Sequence, residues 1–206
     1  MTADASPRRL DLVLFLHGVG ARGLDLLDLS DDWKAALPGV AFAAPDAPFP
    51  FDGGPFGRQW FSVLGVTPAN RGERIAAAVS AFDAVVDLEI SRAGTVAERT
   101  ALVGFSQGSI MALDTIGRGR PFAGVLAYSG RLVRPIASGR SATPVRLVHG
   151  EADGVIPASE SIAAEAALRA AGVAADLHLR PGLGHGIDAA GIRLGGDFLA
   201  RIAAGA

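Results

Sequence analysis

Ser106 lies in Gly104-Phe105-Ser106-Gln107-Gly108, a match to G-x-S-x-G. In a chain with 27 glycines the bare pattern carries little weight. Its setting carries more. The apolar run Ala101-Leu102-Val103 precedes it, and Ile110, Met111, Leu113 and Ile116 follow at helical spacing. A strand that turns sharply into a helix holds its serine on a strained backbone, and glycines two residues to either side avoid clashes there. The helix start offers free N–H groups and a positive dipole end where negative charge would develop. The chemistry this suits is nucleophilic attack on a carbonyl; the plainer reading is a serine capping a helix.

Such a serine needs a base and a group to orient the base. The chain has four histidines. His17 and His149 each end an apolar strand and precede glycine, and His178 alternates with Leu177 and Leu179 as a strand residue. His185 sits in the glycine-rich stretch Pro181-Gly182-Leu183-Gly184-His185-Gly186, after the last strand-like run. Loops at strand carboxyl ends are where an α/β sheet places its site, and His185 follows Ser106 as the order Ser…Asp…His requires. His185 is therefore the expected base. The acid should lie between them, and Asp153, in His149-Gly150-Glu151-Ala152-Asp153, is the leading candidate over Glu151 in the same loop and Asp176 in the next strand.

An oxyanion hole needs two N–H donors aimed at one point. One is expected from Gln107, immediately after the serine. The other is expected from Val19 in His17-Gly18-Val19-Gly20, the loop after the first strand. As main-chain roles, these specify the side chains of Val19 and Gln107 only weakly. The stretch 46–62 holds Phe49, Phe51, Phe56, Trp60 and Phe61, five of thirteen aromatic residues. Its prolines and glycines read as a rigid loop without helix or strand. Trp60 and Phe61 are expected to form an apolar wall for substrate, the alternative being that the aromatics only pack the loop onto the body.

One motif competes. Gly18-Val19-Gly20-Ala21-Arg22-Gly23 is a G-x-G-x-x-G after a strand, and Asp46 ends the next strand-like run, which nearly completes a dinucleotide fingerprint. Pro45-Asp46-Ala47-Pro48, however, turns the chain where a ribose would be recognised. The fingerprint also leaves Ser106, Asp153 and His185 unexplained.

The elements that must position these residues are legible as alternating patterns. Strand-like runs fall at Leu12–Leu16, 40–44, Thr100–Phe105, Gly124–Tyr128, 145–148 and 175–179. Several are apolar on both faces, as in a parallel sheet covered on two sides. Helix patterns fall at 70–91, 107–116, 158–171 and 188–203. In the first of these Ile75, Val79, Phe82, Val86 and Ile90 share a face, and Asn70 with Glu73 reads as a capping box. Strand–helix alternation gives an α/β fold with a mostly parallel sheet of about six strands, helices on both faces and a minimal cap. Few residues precede Leu12, so no extra leading strands are expected.

Composition narrows the classes further. The 206 residues are 50% hydrophobic and 19% charged, and read as one globular domain, 1–206. A net charge of −2 argues against nucleic-acid or anionic-membrane partners. With no cysteine, thiolate–zinc sites, cysteine-ligated clusters and a cysteine nucleophile are excluded. The one lysine, Lys34, is in Asp-Asp-Trp-Lys, not after a glycine-rich turn, so it is not a P-loop lysine. Ser6-Pro7-Arg8-Arg9 before an apolar run faintly resembles a twin-arginine export signal. Asp11 interrupts that run and His17-Gly18 ends it, so it reads as a core strand and the protein as cytoplasmic, with no membrane span.

Taken together, these residues resemble the phospholipase/carboxylesterase family of the α/β-hydrolases, which includes acyl-protein thioesterases and small bacterial carboxylesterases. The resemblance runs through His17 to Gly20, 45–62, Gly104 to Gly108, His149 to Asp153, and Gly184-His185. It implies a triad of Ser106, Asp153 and His185, an oxyanion hole at Val19 and Gln107, and no metal or cofactor. Ser109 and Ser62 stand where the family often has glycine and aspartate, and Gln59-Trp60-Phe61-Ser62 looks closer to a bacterial esterase subgroup. The expected activity is hydrolysis of small carboxylic esters with short to medium acyl or aryl groups. An acyl-thioesterase or lysophospholipase on the same triad is the alternative. A dinucleotide-dependent oxidoreductase and a non-catalytic binding protein are more distant ones.

Overall fold

The computed structural model describes residues 10–136 and 141–205. The Arg8-Arg9 pair lies outside them. Six strands, β1 (Leu12–Leu16), β2 (Ala41–Ala43), β5 (Thr100–Phe105), β6 (Gly124–Tyr128), β7 (Val145–Gly150) and β8 (Ala175–Arg180), form one sheet in the order β2-β1-β5-β6-β7-β8. Every pairing in it is parallel. Between β2 and β5, β3 (Phe49–Pro50) and β4 (Arg58–Gln59) make a small antiparallel hairpin.

The two sides of the sheet are filled by alternate residues of each strand. On β1, Leu12, Leu14 and Leu16 face one cluster, whereas Val13 and Phe15 face the other. The first cluster takes Ile75, Phe82 and Val86 of α3 (Arg71–Arg92), Met111 and Leu113 of α4 (Gln107–Gly117), and Leu168 of α5 (Ser159–Ala170). The second takes Trp33 of α2 (Leu29–Trp33) and Phe198, Leu199 and Ile202 of α6 (Ala189–Ala204). A strand covered on both faces must be apolar at every position, and β1 and β6 are buried throughout.

Several details differ from the sequence reading. The loop 46–62 is not free of regular structure, because it contains the β3–β4 hairpin. On α3 Ala78 is buried and Val79 half-buried, a small rotation of the apolar face. Asn70 does not cap α3 with its side chain. Its Oδ1 accepts from the Thr67 amide and its Nδ2 donates to the Gly65 carbonyl, so it closes the preceding turn instead. Two short helices, α1 (Leu24–Leu27) and α2, follow the loop after β1. At four and five residues they are too short for periodicity to reveal them.

Candidate active site

Ser106 ends β5 and begins α4 with φ 53° and ψ −113°, a left-handed backbone that a non-glycine residue holds only where its surroundings enforce it. The enforcement is visible. The Ser106 amide donates to the Tyr128 carbonyl, and the Ser106 carbonyl accepts from Ile110. A Cβ on Gly104 would stand 2.5 Å from the Ser109 nitrogen, and one on Gly108 would stand 1.9 Å from the Leu16 oxygen. Strand, turn and helix are therefore packed at backbone distance, and both elbow glycines are needed. Ser109 ties α4 to β6 by donating to the Tyr128 carbonyl at 2.7 Å.

His185 reaches the elbow from the loop after β8. Its Nε2 is 2.9 Å from Ser106 Oγ, and its Nδ1 is 2.7 Å from Asp153 Oδ2. Phe105 lies against the His185 ring at 5.0 Å between centroids. The loops after β7 and β8 interlock: a Cβ on Gly150 would stand 2.3 Å from the Leu183 oxygen, and the Ala152 amide donates to that same oxygen. Asp153 is oriented by its own turn, where Oδ1 accepts from the amides of Val155 and Ile156 at 2.8 and 2.9 Å. Burial alone would raise the Asp153 carboxyl. Hydrogen bonds from His185, Ile156 and Val155 outweigh that and hold it below the usual carboxylate range. With a carboxylate at Nδ1, the proton sits on Nδ1 and Nε2 is free to accept from the serine hydroxyl.

The other acids lie elsewhere. Asp176 pairs with the buried Arg146, and Glu151 is exposed. Among the described residues, no group of three or more His, Asp or Glu stands close enough to share a metal ion.

The loop after β1 packs against the elbow, since a Cβ on Gly18 would lie 3.5 Å from the Ser106 Cβ. Val19 belongs to this loop, and Gln107 opens α4. The loop is held from several sides. His17, fully buried, has Nδ1 2.7 Å from the Gly18 carbonyl, while its Nε2 accepts from the Ala47 amide at 2.9 Å. Burial pushes its titration below the ordinary histidine value, against the raising influence of the Gly18 carbonyl, so it stays a neutral strut. The hairpin docks on the same loop: Gly20 donates to the Arg58 carbonyl, and Arg58 donates back to Ala21.

Trp60 does not form an open wall. It is 0% exposed, its indole N–H donates to the His17 carbonyl at 2.9 Å, and it meets Phe82 edge-on. The sequence showed the aromatic density but not which rings turn inward. Nor is the Gln107 side chain weakly specified: Oε1 accepts from the Trp60 amide and Nε2 donates to the Phe61 carbonyl, both at 2.7 Å. Neither this clamp nor the strut role of His17 is carried by local spacing, because the clamp's partners are 46 and 47 residues away and the Ala47 amide on His17 is 30. Phe61, 5% exposed, lines a cavity of about 300 Å³ with Phe49, Gln59, Arg74 and Ala78.

The dinucleotide alternative loses its two distinguishing parts. Asp46 accepts from the Gly23 amide, and a Cβ on Gly23 would stand 1.9 Å from the Ala44 oxygen. The third glycine and the acid thus serve each other and the fold. The helix that follows is four residues long, not the long crossover helix that a pyrophosphate requires.

A parallel sheet with helices on both faces, a strained serine between strand and helix, and a histidine–carboxylate pair from the next loops define an α/β-hydrolase. The family model for phospholipase/carboxylesterase matches residues 3–202, and the chain belongs to that family. It is 35% identical over 189 residues to the esterase YpfH of Escherichia coli, covering 91% of this chain and 81% of that protein. The crystal structure of esterase PE8 superposes with a TM-score of 0.86 at 35% identity, covering 94% of this chain and 93% of that one. Carboxylesterase SOBER1 of Arabidopsis thaliana superposes at 0.78 with 25% identity, covering 93% of this chain and 98% of that one.

Proposed function

We propose that this protein is a serine carboxylesterase, acting as one catalytic domain on small carboxylic esters with short to medium acyl or aryl groups. The observation that carries the reading is the unbroken chain Ser106 Oγ–His185 Nε2 at 2.9 Å and His185 Nδ1–Asp153 Oδ2 at 2.7 Å. Ser106 attacks the ester carbonyl as His185 takes its proton, and the Val19 and Gln107 amides bind the resulting oxyanion. His185 returns the proton to the leaving alcohol as the carbon–oxygen bond breaks, leaving an acyl-serine. Water, deprotonated by His185, releases the acid and restores the hydroxyl. Asp153 keeps the imidazole in the required tautomer throughout. Phe61 is the residue assigned to the acyl group; its tie to Gln107, the residue after the nucleophile, supports this.

The names of the curated relatives support ester hydrolysis over the thioester alternative. The cytoplasm is the proposed compartment. What supports this is that the apolar run following Arg8-Arg9 is β1, buried between β2 and β5 as part of the folded core. Among the described residues, no helix is long and apolar enough to cross a membrane. The test is an acyl-length series of aryl esters with one acyl thioester beside it. Turnover highest on the esters supports the reading, and turnover confined to the thioester would replace it.

A further inference from the structure

His149 is fully buried, stands four residues before Asp153, and approaches the same carboxylate oxygen that His185 contacts. Its Nε2 is 2.8 Å from the Ile156 carbonyl and 3.1 Å from Asp153 Oδ2. Both neighbours are acceptors only, so Nε2 must carry a proton. Its Nδ1 is 2.6 Å from Ser161 Oγ on α5, whose hydroxyl also lies 3.3 Å from the Gly130 carbonyl. A hydroxyl that donates to Nδ1 fixes the Nε2–H tautomer.

Ile156 is gripped twice, its carbonyl by His149 and its amide by Asp153 Oδ1. The ring therefore closes the turn that aims the carboxylate, and presents a proton to the same oxygen that faces His185. The charged groups nearby are Arg131 and Glu160, which pair with each other at 3.0 Å. Cavity filling alone would be met by leucine. A ring with both nitrogens engaged, one by α5 and one by the Asp153 turn, does more than fill space.

We propose that His149, held in its tautomer by Ser161, is a positioning residue that orients the Asp153 carboxylate toward His185; the proposal rests on the triad reading above. It acts through Asp153, so its effect must vanish when that carboxylate is gone. The experiment is a double-mutant cycle on a good aryl ester, with circular dichroism and thermal melting of every variant. His149→Leu is expected to lower kcat about 10- to 100-fold with little change in KM, the scale on which orienting partners act in other sites. His149→Gln, which can present an N–H to the same acceptors, should recover most of that loss, and Ser161→Ala should lower kcat several-fold. In an Asp153→Ala background the same changes should alter kcat less than about 2-fold.

Equal factors in both backgrounds, or wild-type kcat in a folded His149→Leu, would overturn the proposal. If the leucine variant does not fold, the cycle is run with Ser161→Ala on the same criteria. A wild-type rate for Asp153→Ala alone would instead refute the triad and leave nothing for His149 to position.

Discussion

A Cβ on Gly108 would stand 1.9 Å from the carbonyl oxygen of Leu16. The first turn of α4 and the end of β1 thus touch at backbone distance, and each leads into one of the two proposed oxyanion donors, Gln107 and Val19. Gly108→Ala must push them apart. It is expected to destabilise by about 1–3 kcal/mol as an overpacked site does, and to lose most esterase activity even where it remains folded. Gly154→Ala, beside Asp153 with nothing within 4 Å of its Cβ, is the control and should be stable. Thermal melts with kcat/KM for both variants decide this.

Ser106, the proposed nucleophile, holds a strained backbone. Ser106→Ala should remain folded, lose fluorophosphonate labelling and lose about 10⁴- to 10⁶-fold in kcat. Ser106→Gly should be equally inactive yet about 1 kcal/mol more stable than the alanine variant, since glycine alone is at ease with φ 53°. Labelling of the alanine variant to the wild-type extent would move the nucleophile elsewhere, and equal urea midpoints would remove the strain argument.

Asp153→Asn is expected to fold and to lose roughly 10³- to 10⁴-fold in kcat, because the imidazole loses its tautomer lock. Glu151→Gln should keep wild-type kinetics. Asp176→Asn should cost stability through Arg146 and leave kcat unchanged. A loss of rate in either of the last two with none in the first would identify a different acid.

Acid stability has a separate source. Asp83 on α3 pairs with Arg118 and Arg120 at 2.7 Å each. Burial raises its carboxyl, but the two guanidiniums outweigh that and hold it below its free value of 3.8. A carboxyl depressed on folding stabilises fully above its free value, and that contribution is lost as pH falls through the folded value. Asp83→Asn is therefore expected to cost about 1.5–3 kcal/mol at neutral pH. The difference should shrink as pH falls below 3.8 and through the folded value. Urea titrations across that range read it, and a pH-independent difference would contradict it.

Trp60 and Phe61 are neighbours with different tasks. Trp60→Ala empties a buried site and unpins the His17 carbonyl, so it should cost about 3–5 kcal/mol and lower kcat/KM by one factor across acetyl to octanoyl aryl esters. Phe61→Ala enlarges the cavity it lines and should shift the preferred length toward longer chains. An unchanged ranking for Phe61→Ala would detach that cavity from the acyl group.

Much of this was legible in the sequence because it is local. The six strands of the main sheet follow from apolar runs, and the strand–turn–helix setting singled out Ser106 before any coordinate did. His185 and Asp153 were legible because chain order and strand ends restrict where they can stand. The clamp of Gln107 on Trp60 and Phe61, the strut role of His17 and the inward turn of Trp60 were not, since each depends on contacts over 30 residues or more. The hairpin was hidden because strands of two residues leave no alternation to read. The G-x-G-x-x-G stretch misleads for the opposite reason: Gly20 is required by its positive φ and Gly23 by backbone packing against Ala44, not by a phosphate.

The strand order β2-β1-β5-β6-β7-β8 has a consequence for how the enzyme comes into being. The residues of the site come from the ends of four strands, and His185 follows β8, the last strand of the chain and one edge of the sheet. Its partners are 79 and 32 residues away in sequence. Contacts of that range form late, after the closure of long loops. A nascent chain therefore has no working site until its carboxyl-terminal quarter has been made and has docked. An edge strand also opens more readily than a central one. Esterase turnover is thus a reporter of complete assembly, lost when β8 detaches even while the central strands still hold their secondary structure.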